Sequence, residues 1–431
     1  MAHHSHHDDI EPPGKFETPK GFVTTAIVFI VLGLAAFLFG LISDNEARAW
    51  RGYVIGFWFT FSLALSGPFF IATQYLSKAG WSVSIRRIPE AMGAFLIPCV
   101  ILGAIALLGA DHLFGWIELA PEVFDPESDV FDPIVAQKSA VLTGTALTIA
   151  TLVATAGVAI MYAVMRKFSV QQDEDGSYEL MRKNIWVSAF FIIVFVISVS
   201  AMSWYWTMSY DPHWYSMMWS VYAFAGLFQT GLAVMILILI YLLRKNLFGG
   251  CVGTEQVHRM GQLLFGFTVF YAYIHFSQFL LLWYANIPET AKWYTDRMSE
   301  GWGIWLLLLP LLKFIVPFVA LLRQDAKKNK KNILVYVAVL LVFMQALEIW
   351  FWVMPYWYGT EGLVGPMVPT FELFITLGFV GLFMIVTAKA LERHNLVPLK
   401  DPLLHEAIPH SHDHLIYPNG KPGENGQDDD A

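Results

Sequence analysis

Ten apolar stretches of about 20 residues each, broken by few charges, run through this 431-residue chain and match the length needed to cross a hydrocarbon core about 30 Å thick at about 1.5 Å per helical residue. A segment in lipid has to satisfy its own backbone N–H and C=O groups, so the stretches are predicted to be helices. They fall near residues 22–42, 52–76, 88–110, 139–165, 184–208, 217–243, 260–284, 302–322, 332–354 and 367–391. The first is longer than the apolar region of a secretion signal and follows a polar lead, so it is read as a retained helix. Composition agrees: 56% of the residues are hydrophobic and 14% charged, outside the range of an ordinary soluble domain.

Other classes are excluded quickly. The two cysteines, Cys99 in an apolar stretch and Cys251 in a short loop, make neither a disulfide framework nor a thiolate metal site. The net charge of −8 reflects an acidic tail and one acidic loop and gives no nucleic-acid signal. No Walker loop, dinucleotide fingerprint or nucleophile elbow is present. Histidines at His3–His7 and from His405 to His414 lie in polar tails, read as solvated or tag-derived.

Basic residues orient the chain. Lys and Arg crowd the segments on the side of both tails, whereas the other side has only Arg48, Arg51, Lys138, Lys292 and Arg297. The positive-inside rule then places both termini in the cytoplasm. A repeat divides the helices: Lys183-Asn184-Ile185 opens the fifth and Lys331-Asn332-Ile333 the ninth, while the run Trp204 to Tyr210 mirrors Trp350 to Tyr356. The expected fold is all-α and integral to the membrane, with two parallel four-helix bundles, helices two to five and six to nine, flanked by helices one and ten. The corresponding segments are a polar tail 1–21, helix one with its loop 22–51, bundles 52–210 and 211–356, helix ten 357–391 and a second polar tail 392–431.

Function is sought where charge enters the membrane. A carboxylate or ammonium at a helix centre costs roughly 2.5–3.5 kcal/mol on insertion scales and marks a pathway by default. His275, Lys313, Glu348 and Glu372 are the ionisable residues within the stretches, with Glu90 at the edge of helix three. Tyr271, His275 and Gln278 share one helix face, as do Gln345 and Glu348. Counting inward from the outer ends puts Glu348 and Glu372 within roughly 10 Å of the surface, His275 deeper and Lys313 deepest, a graded relay for protons. The competing accounts are a structural Lys313–Glu348 ion pair, a Glu372 stabilised by its helix N-terminus, and a His275 that bonds between helices. Helix four carries Thr143, Thr145, Thr148, Thr151 and Thr155, and the first bundle is expected to hold no buried charge. One histidine within the helices argues against an intramembrane haem, and no helix shows a metal-ligand cluster.

The runs Met208 to Ser216 with Val221 to Gly226, and His275-Phe276-Ser277-Gln278 through Trp283 to Glu289, resemble the membrane subunits of alternative complex III. The second run looks like the F subunit, within the NrfD-like (polysulfide reductase membrane subunit) superfamily. The resemblance covers helices two to ten and departs at Ser216-Met217-Met218-Trp219. It implies a subunit of a bacterial inner-membrane quinol:cytochrome c oxidoreductase in a respiratory chain. Such a chain carries no redox centre and serves proton movement, beside a sibling that oxidises menaquinol. Partners implied are periplasmic iron–sulfur (molybdopterin-like) and haem c subunits, a terminal oxidase and membrane lipids. The rival readings are a quinone site of its own beneath Asp211 and His213, a stand-alone ion or solute transporter, and a purely structural scaffold.

Overall fold

The computed structural model describes residues 14–43, 45–298, 301–328, 331–360 and 369–407; the histidine runs at His3–His7 and His410–His414 lie outside them. Among the described residues every regular element is helical, and ten helices are long and apolar enough to cross a membrane. They are α1 (Lys20–Ile42), α2 (Glu46–Leu76), α3 (Arg87–Leu113), α4 (Gly144–Asp175), α5 (Tyr178–Met208), α6 (Met218–Arg244), α7 (Thr254–Ala285), α8 (Gly303–Leu322), α9 (Asn332–Tyr356) and α10 (Thr370–Glu392). The chain is therefore a multi-pass membrane protein. The start of α1 and the end of α10 lie on one face, where the Thr18 N–H donates to Glu392 Oε1 at 2.7 Å.

Side chains outside the apolar stretches decide where helices stop. The threonine of Thr143 caps α4 by accepting the Ala146 N–H at 3.1 Å. Its far end runs to Asp175, where Gly176 adopts φ +65°, a conformation that suits glycine at a helix C-terminus. Ser177 then caps α5 through the Glu179 N–H. So α4 extends ten residues beyond residue 165, because polar residues prolong a helix once it leaves the lipid. In the same way α2 begins at Glu46, placing Arg48 and Arg51 inside a helix rather than a loop.

Packing neighbours follow the chain. Helix α2 touches α3 and α5, α3 touches α4, and α4 lies against α5; α6 touches α7 and α9, and α8 touches both α7 and α9. Between these sets α2 meets α6 and α9, while α10 covers α2 and α3 and carries α1 on its outer side. Helix α2 is mainly apolar beyond Arg51 and buried along nearly its whole length, as a helix packed on all sides should be. By contrast α1 exposes most of its surface, which lipid covers.

The segment after α10 is not a solvated tail over its described part. Leu396, Val397, Leu404 and Ala407 are buried, Asp401 pairs with the buried Arg86, and the Gln256 amide at the start of α7 donates to the Ala407 carbonyl. Lys400 Nζ reaches the Glu174 carbonyl at 2.6 Å. This strap ties α3, α4 and α7 together on the termini-bearing face.

Helices α1 and α10 meet through glycines: a Cβ on Gly33 would lie 2.5 Å from Gly378 Cα, the close backbone approach that small residues permit in membranes. Gly378→Leu is expected to destabilise the protein by about 1–3 kcal/mol, seen as a lower midpoint in thermal unfolding in detergent. Gly266→Ala, whose Cβ meets nothing within 4 Å, should leave that midpoint unchanged or raise it.

Candidate functional site

Lys313 and Glu348 face each other wholly buried, with Nζ 2.5 Å from Oε2. Glu348 Oε1 accepts two phenol hydroxyls, Tyr222 of α6 and Tyr271 of α7, each at 2.5 Å. Lys313 Nζ also donates to Gln345 Oε1 at 2.7 Å and sits 4.1 Å from the Tyr271 ring centre. Thr230 Oγ1 donates to the same Gln345 oxygen at 3.1 Å, and His275 Nδ1 lies 2.9 Å from the Tyr222 hydroxyl. Four helices, α6 to α9, thus contribute to one knot of polar groups. Taking two ions out of water costs several kcal/mol each, and only close pairing with further hydrogen bonds offsets this. Here both carboxylate oxygens and the ammonium have partners.

Backbone chemistry places the lysine. Pro317 has no N–H, so the carbonyl four residues earlier, that of Lys313, loses its α-helical donor. Around it α8 widens into a π-helical turn, Leu311–Ile315, in which the Val316 N–H bonds the Leu311 carbonyl. The buried Gln229 amide supplies a donor to the Lys313 carbonyl at 3.1 Å and is itself 3.1 Å from Thr268 Oγ1. Single π turns inside α-helices gather at functional sites. Gly226 makes room on α6: a Cβ there would lie 2.8 Å from Gln345 Oε1 and 3.3 Å from Glu348 Oε2.

A second proline break lies above the knot. Pro355 leaves the Phe351 carbonyl without its helical donor, and Arg297, from the short helix Pro288–Met298, donates to the Phe351 and Trp352 carbonyls at 3.4 and 2.9 Å. Burial pushes the Arg297 guanidinium down to about 9, which leaves it a cation at neutral pH. Beside it a cavity of about 20 Å³ is lined by Asp211, Asp296, Arg297 and Trp352 among others; a space of this size holds about one water. The Trp352 ring packs 5.3 Å from that of Tyr222, so the cavity reaches the roof of the knot from the face opposite the termini. Towards the termini the buried residues of α6 beyond Thr230 are glycine, alanine and larger apolar side chains. Among the described residues, the small polar-lined cavity nearest the knot lies on the face opposite the termini.

The sequence-derived candidates sort unevenly. Glu348, Lys313, Gln345, Tyr271 and His275 come together, in direct contact rather than as a graded series. Gln278 stands apart and accepts from Ser216 Oγ at 3.1 Å. Glu372 is also separate: it pairs with Arg48 at 2.6 Å between α10 and α2, because α2 starts early enough to bring an arginine to it. Tyr222, Gln229, Thr230 and Thr268 complete the site and carried no mark in sequence beyond their period on α6 and α7.

Asp211 and His213 sit in the loop between α5 and α6. His213 Nε2 is 2.5 Å from Asp132 Oδ2, and its backbone N–H donates to Asp211 Oδ1 at 3.1 Å. Although burial opposes it, hydrogen bonds from the Val135 N–H and from His213 hold the Asp132 carboxyl below its ordinary range. Lys138 Nζ donates to the Pro212 carbonyl at 2.5 Å, and burial lowers its pKa. A cavity of about 430 Å³ opens beneath, lined by Lys138, Trp204, Tyr205, Asp211 and Trp214 among others. The indole N–H of Trp204 is buried there with no hydrogen-bond partner among the described residues.

Buried charge also occurs in the first set of helices, contrary to expectation. Arg87 and Glu90, both almost fully buried, pair at 2.5 Å, and Arg166, Ser169 and Asp173 on the extended end of α4 close on them. These α4 residues count as loop if the helix ends at 165, which hides the network. Among the described residues no group of three or more His, Cys, Asp or Glu side chains is placed to hold a metal.

Fold and site together define a multi-pass helical membrane protein with a buried ionic centre. No protein-family model matches the chain, and no curated protein matches it at a significant level.

Breaking a buried pair strands a charge, whereas removing both partners does not. Lys313→Met and Glu348→Gln are each expected to cost about 3–5 kcal/mol. The double variant should melt above either single one in parallel thermal scans.

Proposed function

We propose that this chain is a non-haem membrane subunit of a quinol:cytochrome c oxidoreductase of the alternative complex III type, and that its buried Lys313–Glu348 centre exchanges protons. In this reading α2–α5 and α6–α9 form two four-helix bundles, α1 and α10 flank them, and both termini face the cytoplasm of a bacterium. The observation that carries it is the arrangement of a fully buried lysine and glutamate joined by two tyrosines and one glutamine. The pair can hold one proton on either partner, and Tyr222 extends the hydrogen-bonded chain to His275 and packs on Trp352, which lines the water-sized cavity at Asp211. A cavity on the face opposite the termini favours exchange with that side, the periplasm in this orientation. Iron–sulfur and haem c centres belong to partner subunits, and menaquinol is oxidised by the complex. The resemblance noted in the loop after α5 and in α7 supports the assignment to this class of complex.

The reading is tested in the intact complex reconstituted in vesicles. Glu348→Gln and Lys313→Met are expected to leave quinol oxidation largely intact while slowing proton transfer through the centre by roughly 100-fold or more, read as proton release and membrane potential. Unchanged coupling in both variants would sink the proton role.

A second reading, that quinone binds this chain itself, is favoured by the 430 Å³ cavity beneath Asp211 and by the unpartnered Trp204 N–H that lines it. Under it, Asp211→Asn should lose quinol oxidation, and a photoreactive quinone should label Trp204 or Tyr205. Under the first reading Asp211→Asn keeps oxidation and no label appears there.

A further inference from the structure

On the termini-bearing face a groove of about 270 Å³ runs between α6 and α10, lined by Leu237, Ile238 and Tyr241 on one side and Phe383, Met384 and Thr387 on the other. The segment before α1 crosses its mouth with Phe16 and Pro19, and Phe22 closes the edge. Counting from the ends of α6 and α10, Val234 and Phe383 lie about 14–15 Å deep, within the leaflet on the termini-bearing side.

Three further observations fix what fits it. Thr387 is only 5% exposed and its hydroxyl has no hydrogen-bond partner among the described residues. It lies five residues from the end of α10, about 7 Å, the depth at which the glycerol esters of a phospholipid meet the acyl chains. Lys15, Lys20 and Lys245 are exposed, and each is one to three residues from a residue that lines the groove. Of the acidic residues beside them, Glu17 is exposed and Glu392 is engaged by the Thr18 N–H and by Lys389 Nζ at 2.7 Å each. An apolar slot reaching into one leaflet, a hydroxyl donor at ester depth and a basic rim are complementary to one kind of molecule.

We infer that this groove binds an anionic phospholipid, with one acyl chain between α6 and α10, an ester carbonyl accepting from Thr387 Oγ1, and the phosphate among Lys15, Lys20 and Lys245. The inference is independent of the proton centre, whose residues do not line the groove.

Native mass spectrometry of the full chain, purified with whatever assembles with it and stripped of lipid, tests the site with phosphatidylglycerol and phosphatidylcholine of identical chains. Wild-type protein is expected to retain one phosphatidylglycerol with roughly tenfold preference over phosphatidylcholine, given three neighbouring basic groups. Lys15→Gln/Lys20→Gln/Lys245→Gln should abolish the preference and the corresponding triple arginine variant should keep it. Ile238→Trp, which fills the slot, should weaken binding of both lipids; if that protein cannot be purified, Thr387→Val should weaken both by a smaller factor. Lys167→Gln/Arg182→Gln/Lys183→Gln neutralises the same face on helices that do not line the groove and should leave the preference intact. Equal retention of the two lipids by wild type, or an equal loss of preference in this last variant, overturns the site.

Discussion

Every polar group carried into the lipid has to find its partner inside the protein, and the centre around Lys313 and Glu348 is the most demanding case. Two opposite charges, both wholly buried, are held by a second layer: two phenols on one carboxylate oxygen, an amide on the ammonium, a hydroxyl on that amide. Four helices are fixed in register by this demand. The same requirement explains the proline breaks. Each proline frees a carbonyl that a buried side chain then satisfies, Gln229 for Lys313 and Arg297 for Phe351. Irregular backbone at this depth is tolerated because the freed carbonyls meet buried protein side chains.

The two sets of helices solve related problems in different ways. Asn184 at the start of α5 donates to the Tyr75 hydroxyl at the end of α2, and Asn332 at the start of α9 accepts from Arg244 at the end of α6. The repeated asparagine thus performs an equivalent join in each set. The repeated aromatic run differs in backbone, closing α5 in a π turn at Trp204–Met208 while α9 continues as an α-helix through Pro355. Charge is distributed differently. In the first set it gathers near the termini-bearing face, around Arg87 and Glu90, and in the second deep within the helices, around Lys313 and Glu348.

Much of this was legible in the sequence. Ten apolar stretches announce ten spans because length and hydropathy suffice, and a charge within a stretch is conspicuous, which is why Lys313, Glu348 and His275 stand out. Period also marks Tyr271 and Gln345. What stayed hidden had a physical cause in each case. Tyr222 and Gln229 resemble ordinary interfacial or packing residues until the carboxylate and carbonyl they serve are seen. Glu372 reads as a lone acid because its partner Arg48 sits where polar residues extend α2 past its apolar stretch. Arg166 and Asp173 were obscured likewise: apolarity marks where lipid ends, not where a helix ends.

The strap from Leu396 to Ala407 bears on biosynthesis. It is translated after all ten spans, yet it touches α3, the end of α4 and the start of α7. Those surfaces exist together only once the early and late helices have been inserted and have found one another. Docking of the strap therefore has to follow assembly of the helices, and a chain whose helices have not yet come together leaves Arg86 and the strap's apolar side chains uncovered.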